Sequence, residues 1–416
     1  MTGPSDPNRA AASGPHGRES PREGAGGIKP AGIAAGETVT GPPQSKAAVS
    51  GGAAKQWRGK RRRGLRLQQP AYGALDLGTN NCRLLVARPS RRGFVVIDAF
   101  SRIIRLGEGV TSSRRLSQAA MDRTVEALEI CAEKMRQRRV KRARVIATEA
   151  CRVAENRDDF VARVREEVGL ELEVVSQETE AQLAVSGCAS LIDRGCDWAL
   201  VFDIGGGSSE LIWLDLRGMK PGWRRAIPGL LNVQQRIAAW TSLRLGVVTL
   251  AEKHGGHDVS PATFEAMVED VMAALAGFEA EHGLREIIER ERVHLIGTSG
   301  TVTTIAGVHL GLPVYDRRRV DGCWLKTREI RDVSNRLIAM SYEQRVAQPC
   351  IGADRADLVL AGCAILEAVL RMWPCARLRV ADRGLREGIL ANLMAEDGHP
   401  QWRRRVRKSR PRPEGA

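Results

Sequence analysis

Hydrophobic and polar positions in the middle of the chain alternate between strand and helix periodicity. Apolar or β-branched runs such as 94–100 and 145–148 are typical of strands, and 118–137 has apolar residues at helical spacing. The same spacing predicts further helices over 158–168, 261–277, 301–307, 328–340, 356–370 and 385–394. Because strands and helices are mixed along the whole segment, the pattern predicts an α/β architecture.

One pattern of strand, turn and strand occurs twice. Residues 72–87 read YGALDLGTNNCRLLVA, and residues 198–214 read WALVFDIGGGSSELIWL. In each copy an apolar strand ends in an aspartate, Asp76 or Asp203, and a glycine turn leads into a second apolar strand. Two copies this far apart predict a duplicated domain, since the repeats of a solenoid are much shorter.

The two turns have the chemistry of a phosphate site that contains a metal ion. Glycine lets backbone N–H groups approach a ligand closely, because no Cβ is in the way. An aspartate cannot bind phosphate directly, but it can hold a hydrated Mg²⁺ that bridges to phosphate oxygens. An ordinary glycine hairpin would explain one copy, whereas two copies favour the phosphate site. A third glycine turn, LIGTSGTVTTIA at 295–306, precedes a predicted helix whose N-terminus can bind an anion.

Composition separates the ends of the chain from its middle. The 416 residues carry a formal net charge of +15, but the basic excess lies in 51–69 and 401–416, so the segment between them is near neutral. Residues 1–50 are rich in Gly and Pro, and we predict that 1–69 and 397–416 are disordered basic tails. Basic tails attract polyanions by counterion release, although short charged blocks are also typical of solvated ends.

The cysteines and the hydropathy of the chain predict the cellular compartment of the protein. Nine scattered cysteines without a CxxC pair indicate reduced thiols in the cytoplasm rather than a disulfide framework or a zinc ribbon. No apolar run reaches the length of a membrane span, and the start lacks the apolar region of a secretory signal. We interpret the His257-Asp258 dipeptide as loop, because the upstream His and downstream Asp of a metal site are missing.

Nine motifs in order resemble those of the Ppx/GppA family of exopolyphosphatases and guanosine pentaphosphate phosphatases, in the actin-like superfamily. The two Asp-Gly turns resemble its phosphate loops, SRIIRLGEGV its Arg-Leu-Gly-Glu-Gly segment, and SQETEAQLAVSG its catalytic-glutamate segment. The other motifs are ATEACR, SLRLGVVTLAE, GTSGTVTTIAGV, ADRADLVLAGCAIL and VADRGLREGIL. The resemblance covers roughly 71–395 and implies an actin-like (ASKHA) fold of two RNase H-like domains with a cleft between them.

The resemblance also implies domain limits and site residues. The first domain would span 70–193 and be joined by a returning segment, 375–396, and the second would span 194–374. Glu180 would be the general base that primes the attacking water. Asp76, Asp203 and Glu210 would position Mg²⁺ or its waters. The residues that would contact phosphate are Gly78, Thr79, Asn80, Arg83, Arg105, Arg152, Gly205, Gly206, Gly207, Ser208, Gly297, Ser299, Gly300 and Thr301.

Several of these roles have structural alternatives. The sequence alone favours a solvated residue at a helix start for Glu180, and the resemblance favours the catalytic role. Arg83, Arg105 and Arg152 could be paired structurally. Thr179 replaces the first Glu of the family's Glu-Glu-Ala tripeptide, and Asn81 and Thr249 also depart from the family pattern. These changes bear on substrate preference more than on the reaction.

The expected function is hydrolysis of inorganic polyphosphate from its ends, which releases orthophosphate and uses Mg²⁺. The alternative on the same fold is a guanosine pentaphosphate (pppGpp) 5′-phosphohydrolase. A weakly catalytic polyanion-binding regulator and an ATP-dependent kinase are further hypotheses, which retention of the presumed base Glu180 disfavours. A homodimer, and contact of the basic tails with polyanions, are left open.

Overall fold

A computed structural model of the chain describes residues 69–91, 93–193, 195–219 and 233–398. Apart from residues 69, 397 and 398, the two predicted basic tails lie outside the described residues, so their disorder stays a prediction. In the part of the chain that is described, no helix is long and apolar enough to cross a membrane.

The first sheet contains five strands in a mixed arrangement. They are β1 (Ala71–Leu77), β2 (Asn81–Ser90), β3 (Gly93–Ile103), β4 (Val140–Ala147) and β5 (Leu172–Val174). Their order is β3-β2-β1-β4-β5. β1 to β3 form an antiparallel meander, and β4 and β5 run parallel to β1. The helices that follow β3 and β4 are α1 (Val110–Ser113), α2 (Gln118–Gln137), α3 (Glu149–Val153) and α4 (Arg157–Val168).

The second sheet repeats this arrangement. Its strands are β6 (Trp198–Ile204), β7 (Ser209–Asp215), β8 (Ile237–Leu243), β9 (Val293–Thr298), β10 (Trp324–Lys326) and β11 (Arg377–Ala381). The order is β10-β11-β9-β6-β7-β8, with β6 to β8 as the meander, β9 and β11 parallel to β6, and β10 an antiparallel addition. The shared strand order confirms the predicted duplication.

The remaining helices connect and cover the sheets. They are α5 (Gln177–Cys188), α6 (Val247–His254), α7 (Pro261–His282), α8 (Leu284–Arg290), α9 (Ser299–His309), α10 (Arg317–Val320), α11 (Thr327–Ile338), α12 (Tyr342–Val346), α13 (Val359–Met372) and α14 (Leu385–Glu396). α13 is apolar on nearly every side and is buried along its length, as expected for a helix at the centre of a core.

Local signals explain where the helices begin and end. α2 spans 118–137, as its apolar spacing predicts, and begins where the Ser117 side chain accepts a hydrogen bond from the backbone N–H of Ala120. α7 runs past its predicted end at Gly277, because its buried positions continue to Phe278. It ends at Gly283, whose φ of 58° lies in the left-handed region that glycine tolerates.

α5 and α14 each pack on a different sheet, and each follows a strand of the other sheet. α14 packs on the first sheet through Ile389 and Leu390, whereas α5 packs on the second sheet through Ala181 and Val185. The predicted returning segment began at 375, but β11 belongs to the second sheet because it pairs with β9 and β10. The return to the first sheet therefore begins with α14 rather than at 375.

The two helices approach each other at glycines. A Cβ on Gly187 of α5 would lie 1.9 Å from the carbonyl oxygen of Gly384, just before α14. A Cβ on Gly388 of α14 would lie 2.1 Å from the carbonyl oxygen of Leu183. Both neighbours are backbone atoms, so a side chain can be accommodated only if one helix moves away from the other.

Replacement of Gly187 by Ala is therefore expected to destabilise the fold by about 1–3 kcal/mol, the usual cost of overpacking. Chemical denaturation measures the change. The matched control is Gly277→Ala on α7, where no atom lies within 4 Å of an added Cβ. This control should be about 1 kcal/mol more stable, since Ala favours a helix over Gly. An unchanged unfolding midpoint for Gly187→Ala would contradict the close helix crossing.

Candidate active site

The two Asp-Gly turns face each other across a cavity between the sheets, which we call the central cavity. Its volume is about 130 Å³. The turn after β1 contributes Asp76, Gly78, Thr79, Asn80 and Arg83, and the turn after β6 contributes Asp203, Gly205, Gly206, Gly207, Ser208 and Glu210. Glu180 of α5 and Ser299, Gly300 and Thr301 of α9 complete this set of predicted residues. The fold therefore brings most of the predicted site together.

The two turns have the same backbone geometry. The N–H of Gly78 donates to the carbonyl of Asn81 at 2.9 Å, and the N–H of Gly205 donates to the carbonyl of Ser208 at 2.9 Å. The charges opposite the two aspartates differ, however. Asp76 is paired in register with Arg83, whereas Asp203 is paired with Glu210. The second turn therefore carries two carboxylates where the first carries a carboxylate opposite a guanidinium.

The turns also touch each other, and this contact requires glycine. A Cβ on Gly206 would lie 3.0 Å from Cβ of Thr79 and 3.2 Å from the backbone nitrogen of Asn80. A Cβ on Gly207 would lie 2.7 Å from the hydroxyl oxygen of Thr79. The glycines thus allow both backbones to line one narrow space.

Backbone hydrogen bonds from a following segment hold each of the two turns. The carbonyl of Asn80 accepts from the N–H of Ile104 at 2.9 Å in the segment that contains Arg105-Leu106-Gly107. The carbonyl of Gly206 accepts from the N–H of Val248 at 2.8 Å, just after Arg244-Leu245-Gly246. Both segments contain an Arg-Leu-Gly tripeptide, but strand pairing offsets the second by two residues, since Arg83 pairs with Ser101 and Glu210 with Ser242.

Five carboxyl groups line the central cavity, and burial is the largest influence on the pKa of four of them. It raises the pKa of Asp203 to about 6 and that of Glu210 to about 7, and repulsion by Asp203 contributes at Glu210. Burial and repulsion by Glu210 raise the pKa of Glu180 well above its ordinary value. The pKa of Asp76 is also raised by burial, against the attraction of Arg83. Such a cluster favours a bound cation.

Glu180 is oriented by Arg152. The Ser176 side chain caps α5 by accepting from the N–H of Thr179, which places Glu180 in the first turn of that helix. Both terminal nitrogens of Arg152 lie 3.1 Å from one Glu180 oxygen, and Arg152 also bonds Glu149 at 2.6 Å. Arg152 is thus engaged by two carboxylates and lies beside the central cavity rather than among its lining residues.

The glycine turn before α9 reaches the site with strained backbone. Ser299 has a φ of 82°, which is rare for a residue with a side chain. Its hydroxyl donates to the carbonyl of Ile204, which fixes the turn next to Asp203. Gly297 lies within β9, where a Cβ would meet the ring of Phe202 at 2.7 Å. Gly297 therefore serves packing at this position and does not line the central cavity.

Arg83 and Arg105 differ in their surroundings. Arg105 forms an ion pair with Asp357 at 2.9 Å and lines a neighbouring cavity instead of the central one. Arg83 lines the central cavity and has no ionic or hydrogen-bonding partner for its side chain among the described residues. Arg355 and Glu149 also line this cavity, although the sequence analysis did not predict them as site residues. Both lie in motifs that carry the family resemblance, ADRADL and ATEACR, and this could have identified them.

The donor set fits a hydrated Mg²⁺ better than a metal held by protein alone. The side-chain oxygens of Asn80 and Asn81 are buried without a hydrogen-bonding partner, and both residues line the central cavity. No group of three His, Cys, Asp or Glu among the described residues is close enough to enclose a metal. Mg²⁺ commonly keeps several waters and binds through one or two carboxylates plus phosphate oxygens.

Two RNase H-like sheets of the same strand order, with glycine turns across a cleft, define the actin-like (ASKHA) class. The model of the Ppx/GppA phosphatase family matches residues 85–397, and the chain belongs to this family. Its members are phosphatases, so the chain is a hydrolase of phosphate compounds.

Three solved structures are similar to the chain. The Aquifex aeolicus member of the Ppx/GppA family is 25% identical, with a TM-score of 0.62 over 79% of this chain and 99% of that one. An exopolyphosphatase-like protein is 26% identical, with a TM-score of 0.66 over 78% and 97%. An exopolyphosphatase from Cytophaga hutchinsonii is 22% identical, with a TM-score of 0.68 over 80% and 99%, and it supports the fold alone.

The contact between the turns predicts the effect of Gly207→Ala. The added methyl group would meet Thr79 and hold the turns apart, which should lower phosphatase turnover about 10- to 100-fold, equivalent to about 1.4–2.8 kcal/mol of barrier. Phosphate release at saturating substrate measures the loss. Gly195→Ala is the control, because no atom lies within 4 Å of its added Cβ. Full turnover by Gly207→Ala would show that the turns need not approach this closely.

Proposed function

We propose that the chain is an exopolyphosphatase that removes terminal phosphates from inorganic polyphosphate with Mg²⁺ as cofactor. The observation that carries this proposal is the placement of five carboxyl groups and two glycine turns around one narrow cavity. Family membership supports hydrolysis of a phosphate compound, and the narrowness of the cavity favours the end of a linear phosphate chain.

The terminal phosphate would be held by the turns. The backbone N–H groups of Gly206 and Gly207 make no backbone hydrogen bond among the described residues, so they are available to phosphate oxygens. Asp76, Asp203 and Glu210 would hold Mg²⁺ through its waters or directly, with the Asn80 oxygen nearby. When bound, this ion supplies positive charge that offsets the developing negative charge on the phosphoryl oxygens.

Glu180 would act as the general base. It accepts a proton from water, whose oxygen forms a new bond to the terminal phosphorus as the bond from phosphorus to the bridging oxygen breaks. The electron pair of the broken bond stays on the shortened chain, which leaves as a phosphate anion without a strong acid. Arg152 acts through Glu180, because it fixes the carboxylate from behind.

A guanosine pentaphosphate 5′-phosphohydrolase is the second candidate. A further cavity of about 320 Å³, which we call the far cavity, continues from the central cavity past Arg83 and Arg355 and is also lined by Tyr315. This space exceeds what a single phosphate end requires and would accommodate a nucleoside. The proposal therefore favours polyphosphate but keeps the nucleotide as the competitor to test.

Glu180→Gln is expected to lose at least about 100-fold of turnover, within the range for loss of a general base, and to keep polyphosphate affinity. Orthophosphate release and equilibrium binding measure the two properties. Glu178→Gln is the matched control, since Glu178 is exposed on the same helix and accepts only a bond from Gln182. Near-normal hydrolysis by Glu180→Gln would refute the assignment of the base.

Orthophosphate release from long-chain polyphosphate and from guanosine pentaphosphate, measured side by side, tests the substrate. We expect a higher kcat/KM for polyphosphate and loss of both activities in EDTA, with recovery on addition of Mg²⁺. A higher kcat/KM for the nucleotide would select the second candidate. Full activity in EDTA would contradict the metal-dependent site.

A further inference from the structure

Three cavities adjoin the central cavity, and their charges differ. The cavity beside Arg105 is also lined by Glu108, Glu252 and Asp357, so acidic residues dominate it. The far cavity has equal numbers of acidic and basic side chains. The third, of about 330 Å³, is lined by Arg114, Arg152 and Arg244 with Glu149 as its one acidic residue. We call this third space the side cavity.

The side cavity and the far cavity adjoin the central cavity through different lining residues. The side cavity shares Thr79, Glu149 and Gly207 with it, and Arg152 in the wall contacts Glu180. The far cavity shares Asp76, Arg83, Asp203, Ser299, Gly300 and Arg355 with it, and contains none of the residues shared by the side cavity. Glu180 is thus joined through Arg152 to the side cavity, and it does not line the far cavity.

In-line displacement separates the attacking water from the leaving group. Glu180 places the water on one side of the phosphorus, and the leaving group departs on the opposite side. The remaining phosphate chain would then extend toward the far cavity. The released orthophosphate, which carries the oxygen of the water, would be left on the Glu180 side.

We propose that the side cavity is a binding and exit site for the product orthophosphate, with Arg244 as its principal anion-binding residue. This inference rests on the proposed exopolyphosphatase function and adds a route for product release. An anion that leaves through the side cavity does not have to pass the chain that extends toward the far cavity. The enzyme could then remove successive phosphates while it retains the chain.

Arg244 has the properties that this role requires. It lies in an Arg-Leu-Gly tripeptide like that of Arg105, but Arg105 is neutralised by Asp357. Arg244 is exposed to solvent in the side cavity and has no acidic partner among the described residues. By contrast, Arg114 pairs with Glu155 and Arg152 with two glutamates. Arg244 is thus the guanidinium in this cavity that is available to an incoming anion.

Binding of inorganic phosphate to the Glu180→Gln enzyme, saturated with polyphosphate and Mg²⁺, tests the site directly. Calorimetry should detect orthophosphate binding to this filled enzyme, and adding Arg244→Ala should weaken that binding about tenfold, as expected for loss of one charged hydrogen-bond donor. Arg336→Ala is the matched control, because Arg336 is an exposed arginine on α11 that lines none of the four cavities. Absence of orthophosphate binding to the filled enzyme would overturn the proposal.

Product inhibition provides a second readout in the otherwise unaltered enzyme. Orthophosphate should inhibit polyphosphate hydrolysis with a non-competitive component, and Arg244→Ala should raise that inhibition constant about tenfold. The same variant should also leave more polyphosphate chains of intermediate length, since slower product exit gives the chain time to dissociate. Gel electrophoresis of the reaction mixture detects these chains. Purely competitive inhibition that Arg244→Ala leaves unchanged would also overturn the proposal. Failure of the exopolyphosphatase function itself is distinguishable, because wild type would then release no orthophosphate from polyphosphate.

Discussion

Burial of several carboxylates together in one narrow cavity is the constraint on which the rest of the structure depends. Asp76, Asp203, Glu180 and Glu210 occupy one narrow cavity, and their raised pKa values express the cost of keeping them ionised there. A cation relieves that cost, because it favours the ionised form of each group. Phosphate oxygens can then enter next to carboxylates that would otherwise repel them. We therefore propose that a metal-bound phosphate relieves the cost of burying these carboxylates.

The duplicated fold keeps these groups together from two sides. Each half supplies a strand that ends in aspartate, a glycine turn and an Arg-Leu-Gly segment that holds the turn by backbone hydrogen bonds. The halves have diverged in charge, since Arg83 and Glu210 occupy corresponding positions. α5 and α14 cross at glycines beside the site, since α5 carries Glu180 and Leu385 of α14 lines the central cavity. Their packing thus lies next to the space in which the chemistry takes place.

Sequence patterns could predict the repeated elements but not their pairwise contacts. The alternation of apolar residues and the two Asp-Gly turns were sufficient for the duplication, because both are local signals. The pairing of Arg105 with Asp357 joins distant segments, and the sequence contains no local sign of it. Gly297 lies in a glycine-rich turn motif, yet the ring of Phe202 on a neighbouring strand explains it. The positive φ of Ser299 likewise results from tertiary contacts rather than from its residue type.

The central claim is that the phosphate end lies between the two turns with Glu180 beside it. A crystal structure of Glu180→Gln with Mg²⁺ and a short polyphosphate is its most direct measurement. The account predicts the terminal phosphorus at the Gly206 and Gly207 amides, the ion between Asp76 and Asp203, and the chain directed away from residue 180. A terminal phosphate bound outside this cavity, or a chain that approaches from the side of residue 180, would contradict it.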